Sequence, residues 1–328
     1  MKNRKILAVN FGGIGDEILF LPALISLKKE FKDCKLTLAL ESRSRAIVDL
    51  TDVVDDLIYV DIKTKNKYLE LLKFIIKARF GGFDTVVSSG ASKFISIILF
   101  LTGIKNRYGY DTGSLSQKLL TKVVKLNKNQ YASGMYHDLV TSLTDIKTNL
   151  AEFSVPKEEK EPNTVLIHPG VSKMSVQKGC IKTITPDIWA QTIDLLILNG
   201  KKVILTGGKD DEECISQIKQ LVKGEFIDYF GKTKSLKELA QLISKSEIFI
   251  CSDSCPLHIA VGMGAKTFAI FGPTNYKTLI PEVDFITPIL ASDNCPLKPC
   301  LWERRMTSCE SLDCLKISAQ DIINKVLG

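Results

Sequence analysis

Ile6-Leu7-Ala8-Val9-Asn10-Phe11-Gly12-Gly13-Ile14-Gly15-Asp16 is a short apolar run that breaks into a glycine loop. Behind it Ile18, Leu19, Ile25 and Leu27 recur at helical spacing. A strand passing through glycines into a helix is the opening of a βαβ unit. The same form returns at Ile167-His168-Pro169-Gly170. Working outward from these two points, short β-branched runs predict strands at 5–9, 35–40, 56–60 and 85–88, then at 164–167, 202–206, 226–229, 248–251 and 267–271, with helical patterns between most of them. That alternation predicts an α/β chain built on parallel sheets covered by helices. Between the halves, Pro156-Lys157-Glu158-Glu159-Lys160-Glu161-Pro162 reads as an exposed linker, so the domains are expected at 1–156 and 157–328. Two doubly wound domains facing each other would bind ligands beyond the carboxyl ends of their strands, in the cleft between them.

A length of 328 residues suits two domains, and 45% hydrophobic with 25% charged residues excludes a disordered, collagen-like or coiled-coil chain. Lys and Arg total 44 against 37 acidic residues, a net charge of +7 that suits phosphates or an anionic membrane surface. The lysines read as dispersed, a solvated surface rather than a nucleic-acid footprint, and no nucleic-acid partner is expected. The most apolar run, 94–101, is far short of a membrane span and contains Ser96. The basic start Met1-Lys2-Asn3-Arg4-Lys5 lacks a following cleavable apolar core, so a cytoplasmic protein is expected. Nine cysteines, five of them scattered singly (Cys34, Cys180, Cys214, Cys251, Cys255), argue against a disulfide framework. The other four form Cys295-x4-Cys300-x8-Cys309-x4-Cys314, whose intervals differ from the usual zinc pairs; reduced thiols are the simpler reading, and a metal there would pin the C-terminal segment rather than perform catalysis.

The loops carry the chemistry. A glycine loop at a helix start can cradle an anion on free amides. The dinucleotide fingerprint G-x-G-x-x-G is not met after the first strand, although Glu41 ends the second, so no nicotinamide cofactor is expected. Asp16 either caps its helix, the simpler reading, or faces the cleft as a general base. Pro22 is expected to kink a long helix. In the second half, 248–258 reads as strand, polar turn and helix, with Pro256 near the first helical position. The amides of that helix start, with the Ser254 hydroxyl, suit a pyrophosphate. Asp253 would repel such an anion unless it contacts a hydroxyl or the turn, and an ordinary cap explains Asp253 and Ser254 equally well. His258, one turn in, reads as a core histidine. Thr274 ends the loop Phe271-Gly272-Pro273-Thr274, aimed at the same cleft. Lys182 precedes a helix with Thr185 and Pro186 at its start and can neutralise a phosphate, although surface solvation is the ordinary role of such a lysine. The strand ending at Thr206 leads into Gly207-Gly208-Lys209-Asp210-Asp211-Glu212, whose carboxylates cap a helix or bind a ribose diol.

These segments, in this order and spacing, are familiar: Gly12-Gly13-Ile14-Gly15-Asp16, His168-Pro169-Gly170, Lys182 seven before Trp189, Thr206-Gly207-Gly208, Ser235-Leu236 to Ala240, Asp253-Ser254-x-Pro256-Leu257-His258 and Phe271-Gly272-Pro273-Thr274. Over nearly its full length the chain resembles the heptosyltransferase family, glycosyltransferase family 9. The resemblance implies a GT-B architecture of two Rossmann-like domains, the first on the acceptor side and the second binding a nucleotide-sugar donor. It implies inverting transfer of a heptose, usually from ADP-heptose, to a lipopolysaccharide core or other surface glycan, and a site on the cytoplasmic face of the inner membrane with peripheral contact. On the matched positions it makes Asp16 the base, Lys182 the phosphate contact and Asp210 the acidic ribose contact. Gly12, Gly13 and Gly15 become the acceptor-side loop, and Asp253, Ser254, Cys255 and His258 the donor turn, joined by His168, Gly170, Thr206, Gly207 and Thr274. Cys255 stands where the family usually has glycine, and a side chain there crowds the approach to a pyrophosphate. No acidic pair such as D-x-D lies beside a phosphate loop, so metal-independent chemistry without a cofactor is expected. Rival readings are a degenerate nucleotide-binding scaffold and a protein O-glycosyltransferase.

Overall fold

The computed structural model describes residues 4–171, 176, 179–291, 295–301, 309 and 311–328. The chain divides into two compact units, Met1–Ser154 and Val155–Gly328. The first runs β1 (Lys5–Val9), α1 (Ile14–Glu30), β2 (Lys35–Leu40), β3 (Asp56–Tyr59), α2 (Lys67–Phe80), β4 (Thr85–Ser88), α3 (Lys93–Leu101), β5 (Asn106–Tyr110), α4 (Ser114–Leu119), β6 (Lys122–Val124) and α5 (Ala132–Asp138). Its six strands are parallel in the order β3-β2-β1-β4-β5-β6. The second unit runs β7 (Glu161–His168), α6 (Pro186–Leu198), β8 (Lys202–Leu205), α7 (Glu212–Leu221), β9 (Ile227–Asp228), α8 (Leu236–Lys245), β10 (Ser246–Ser252), α9 (Cys255–Met263), β11 (Thr267–Phe271), α10 (Tyr276–Leu279), β12 (Ile286–Leu290) and α11 (Ala319–Leu327). Its order is β12-β11-β10-β7-β8-β9. Counted from β7, this is the same permutation as in the first unit, the doubly wound Rossmann order.

Helices on both faces explain why the central strands are apolar without alternation. In the first unit Leu7, Val9, Ala39, Ile58 and Val86 meet Leu71, Phe74, Ala78, Ile98 and Leu99 of α2 and α3. In the second, Val165, Ile167, Val203 and Ile250 pack with Trp189, Ile193, Ile215, Ile218 and Ile322. Both permutations reverse direction between the first and fourth strands, so each sheet has a crevice beyond the carboxyl ends of β1/β4 and of β7/β10.

Three strands escaped the sequence reading. β5, Asn106-Arg107-Tyr108-Gly109-Tyr110, has no β-branched residue, and β6 has only three residues. β12 contains Pro288, tolerated because the strand is an edge. Pro22 does not end α1, which is continuous from Ile14 to Glu30. Every residue from Glu17 to Leu27 is buried, and tertiary packing outweighs the lost hydrogen bond. The charged linker is also shorter than expected. Pro156 to Lys160 are exposed, but Glu161 and Pro162 begin β7, where Glu161 takes an ion pair from Lys245 at 2.8 Å.

Candidate active site

In the first unit the crevice is formed by the loop after β1. Gly13 is the N-cap of α1, and its N–H donates to Asp16 Oδ2 at 2.8 Å. The carboxylate is exposed. Capping, the simpler reading of Asp16, is therefore present, and an exposed carboxylate can still meet a substrate hydroxyl. Gly12 is required by space rather than by backbone angle, since a Cβ there would lie 2.4 Å from Asp16 Cβ. Gly12 thus lets the loop close on Asp16, and Gly12, Gly13 and Gly15 are half-buried.

Three residues that the sequence reading did not single out for this site surround the loop. Arg43 donates to the Gly12 carbonyl at 3.2 Å and to Glu41 Oε2 at 2.5 Å, bringing a cation over the loop. Glu41 is buried and also takes Lys63 at 3.0 Å, so its charge is compensated. Glu17, beside Asp16 in the chain, is 1% exposed. Burial, then the charge of Asp16, pushes its carboxyl well above the usual carboxylate range. The loop therefore carries an exposed carboxylate next to a buried acid held toward its neutral form. An acid at the head of an otherwise apolar helix was the available signal for Glu17.

In the second unit the ends of β7, β10 and β11 bring together residues far apart in sequence. Lys182 Nζ lies 3.3 Å from Asp253 Oδ2, and Thr274 Oγ1 donates to the same oxygen at 2.8 Å. Asp253 and Thr274 are buried, and Lys182 is half-buried. This answers the expected repulsion between Asp253 and an anion, because the lysine compensates its charge. Below them Ser252 Oγ stands 2.8 Å from the Pro169 carbonyl and 2.9 Å from Thr183 Oγ1, and Trp189 Nε1 donates to Thr183 Oγ1 at 3.0 Å. The seven-residue interval from Lys182 to Trp189 thereby acquires a reason: the fully buried indole of α6 anchors Thr183 and so sets the neighbouring lysine. Ser254 is the N-cap of α9 without a side-chain cap, Cys255 and Pro256 open the helix, and Ser254 and Cys255 are half-buried. The first-turn amides are thus not taken by a side-chain cap. His258 is buried one turn in.

The remaining expected positions lie beneath this surface. His168, Gly170, Thr206 and Gly207 are buried. His168 Nε2 is 3.6 Å from Asp211 Oδ2, and that oxygen accepts the Gly208 N–H at 2.8 Å. Burial draws His168 below and Asp211 above their ordinary pKa values. Of the two aspartates after β8, Asp211 is the cap, and Asp210 is exposed.

Of the C-terminal cysteines, Cys300 and Cys314 are buried, and none of the nine cysteines is joined in a disulfide. Burial, with neighbouring Cys295 and Cys300, pushes the Cys314 thiol up to about 11. Hydrogen bonding, first to the Leu312 backbone, lowers that of Cys309. Among the described residues no group of three or more His, Cys, Asp or Glu is placed to hold a metal ion.

The family model of glycosyltransferase family 9 (heptosyltransferase) matches residues 72–303, most of the chain. The chain belongs to this family. Among curated relatives, lipooligosaccharide heptosyltransferase 2 of Campylobacter jejuni is 24% identical over 301 residues, covering 87% of this chain and 89% of the relative. Among solved structures, the family 9 glycosyl transferase of Veillonella parvula superposes with a TM-score of 0.80 at 19% identity, covering 98% of this chain and 96% of that one. Escherichia coli heptosyltransferase WaaC with ADP-2-deoxy-2-fluoro heptose gives 0.73 at 15% identity, covering 98% of each chain. The two Rossmann-like units are those of the GT-B fold, and the protein is a glycosyltransferase.

Proposed function

We propose that this glycosyltransferase moves a heptose from ADP-heptose to a hydroxyl of a lipopolysaccharide-core acceptor, with inversion. The observation that carries the reading is the Lys182–Asp253–Thr274 cluster beside the start of α9. It supplies a cation beside the positive end of a helix, where a leaving diphosphate would develop charge, a preorganised electrostatic site. The relative solved with an ADP-heptose analogue and those named heptosyltransferases support the choice of donor.

In this reaction Asp16 takes the proton of the acceptor hydroxyl as its oxygen bonds to the anomeric carbon. The bond from that carbon to the diphosphate oxygen breaks, and ADP leaves with the electron pair. A positioned general base contributes about 10²–10⁴-fold. Arg43, bound to the Gly12 carbonyl, steadies the loop that holds the base. Lys182 and the positive end of α9 meet the charge on the departing phosphate, Asp253 holds the lysine, and Asp210 contacts the ribose. We read the reaction as needing no divalent cation, with Lys182 and the start of α9 taking that part at the phosphate.

Calorimetric titration of the purified protein with ADP, UDP and GDP, followed by turnover of ADP-heptose on a core acceptor with and without a chelator, tests this. Preference for ADP and chelator-resistant transfer are expected. ADP binding without turnover over a panel of donors and of glycan and protein acceptors would make the protein a scaffold.

A further inference from the structure

The cysteine-bearing stretch near the C-terminus takes no part in the proposed chemistry, yet two of its pieces close on a loop that does. Gly272-Pro273-Thr274 follows β11 and is buried throughout. The Pro273 carbonyl accepts the Cys300 N–H at 2.9 Å and the Leu301 N–H at 3.2 Å, so both of its lone pairs are used by one short segment. On the Gly272 side the chain comes so close that a Cβ would lie 2.5 Å from Leu315 Cδ2 and 3.5 Å from Cys314 Sγ. Gly272 has no positive φ, so this contact, rather than a backbone angle, calls for glycine. Cys300, Leu301, Cys314 and Leu315 are all buried.

Thr274 passes that placement on. Its hydroxyl and Lys182 share Asp253 Oδ2, at 2.8 Å and 3.3 Å, and Thr274 is fully buried. A second path arrives through α6. Ile322, Ile323 and Val326 of α11 share a core with Trp189 and Ile193 of α6, and Trp189 holds Thr183, the neighbour of Lys182. A lysine ammonium ends a flexible four-carbon stem and is aimed only by what grips it. Here both grips are backed by the C-terminal part of the chain.

We propose that Leu315 and the Cys300–Leu301 backbone are positioning residues of the donor site, seating Gly272-Pro273-Thr274 so that Thr274 and Asp253 aim Lys182. This role rests on Lys182 meeting the donor diphosphate. Calorimetric titration of the full chain with ADP is the test. Gly272→Ala sets a methyl against Leu315 and should weaken ADP binding about tenfold, as overpacking passed on to the lysine. Combining it with Leu315→Ala makes room and should recover most of the loss. Thr274→Val should weaken binding as well, and adding Gly272→Ala to it should cost little more, because residues acting through one path are not additive. Circular dichroism and the melting midpoint establish that each variant is folded. If Gly272→Ala does not fold, Leu315→Ala alone carries the test, with a several-fold loss that vanishes in the Thr274→Val background. Wild-type affinity in the folded single variant overturns the proposal, as does a Gly272→Ala, Leu315→Ala pair no better than Gly272→Ala, or full additivity with Thr274→Val. Lys182→Met separates this role from the reading beneath it. Unchanged ADP binding there removes the donor reading and the proposal together, whereas a loss there beside wild-type binding by Gly272→Ala removes the proposal alone.

Discussion

Gly12-Gly13-Ile14-Gly15-Asp16 and Gly207-Gly208-Lys209-Asp210-Asp211 share one pattern, two glycines with an aspartate three residues past the second. Locally they do the same thing. Asp16 accepts the Gly13 N–H, and Asp211 accepts the Gly208 N–H, each at 2.8 Å. There the likeness ends. Asp16 is exposed under an arginine-held loop, whereas Asp211 is 7% exposed, packed on Gly170 and facing His168. Burial raises the Asp211 pKa, so one aspartate presents a carboxylate to solvent while the other is drawn toward neutrality. The same five-residue pattern thus yields a candidate base in one unit and a structural support in the other, and the neighbouring loops decide which.

The sharpest break of this comparison is asparagine at both positions. Asp16→Asn leaves an oxygen for the Gly13 amide and removes the base. Transfer should fall by about 10²–10⁴-fold while the melting midpoint and ADP binding hold. Asp211→Asn should leave transfer near the wild-type rate, and equal loss in both would erase the distinction.

Next comes the charge pair of the second crevice. Lys182→Met strands Asp253, whose side chain is 4% exposed, and should cost about 3–5 kcal/mol in urea unfolding, along with activity. Adding Asp253→Asn should restore most of the stability and none of the transfer. A single variant as stable as the wild type would show that the pair is not coupled.

Glycine substitutions probe the packing itself. At Gly170 a Cβ would lie 1.7 Å from Asp211 Oδ1, and Gly170→Ala should cost about 1–3 kcal/mol in thermal unfolding, as overpacking does. At Gly13 the nearest atoms stand 3.7 Å away, and alanine loses only the N-cap preference, about 1 kcal/mol at most.

The smallest effect is a slope. Glu17 keeps its proton above the pH at which the unfolded chain releases it, so stability falls as pH rises from the ordinary carboxylate range toward its raised folded value. One such proton allows at most about 1.4 kcal/mol per pH unit. Glu17→Gln should flatten the decline of the melting midpoint above the ordinary carboxylate range, and an unchanged slope would mean that Glu17 ionises normally in the folded chain.

Much of this was legible before any coordinates. Strand–helix alternation, the repeated strand-to-glycine opening and the order of the motifs are local patterns, because strand and helix periods act over a few residues. The expected strands, the helix starting with Pro186 and the turn at Ser254 accordingly stand in the structure. β5, β6 and β12 were not legible because a short, polar or proline-bearing edge strand is fixed by its neighbour rather than by its own composition. The continuity of α1 through Pro22 is likewise a matter of what packs around it.

By itself, then, the sequence determined the two doubly wound halves and the residue types at the ends of their strands. The tertiary structure alone decided that Lys182 meets Asp253 across 71 positions and that Asp211 is buried while Asp16 is not. The reason is physical: hydrogen bonds of caps and turns close within a few residues, whereas desolvation and charge pairing depend on whichever distant segment the chain folds against them.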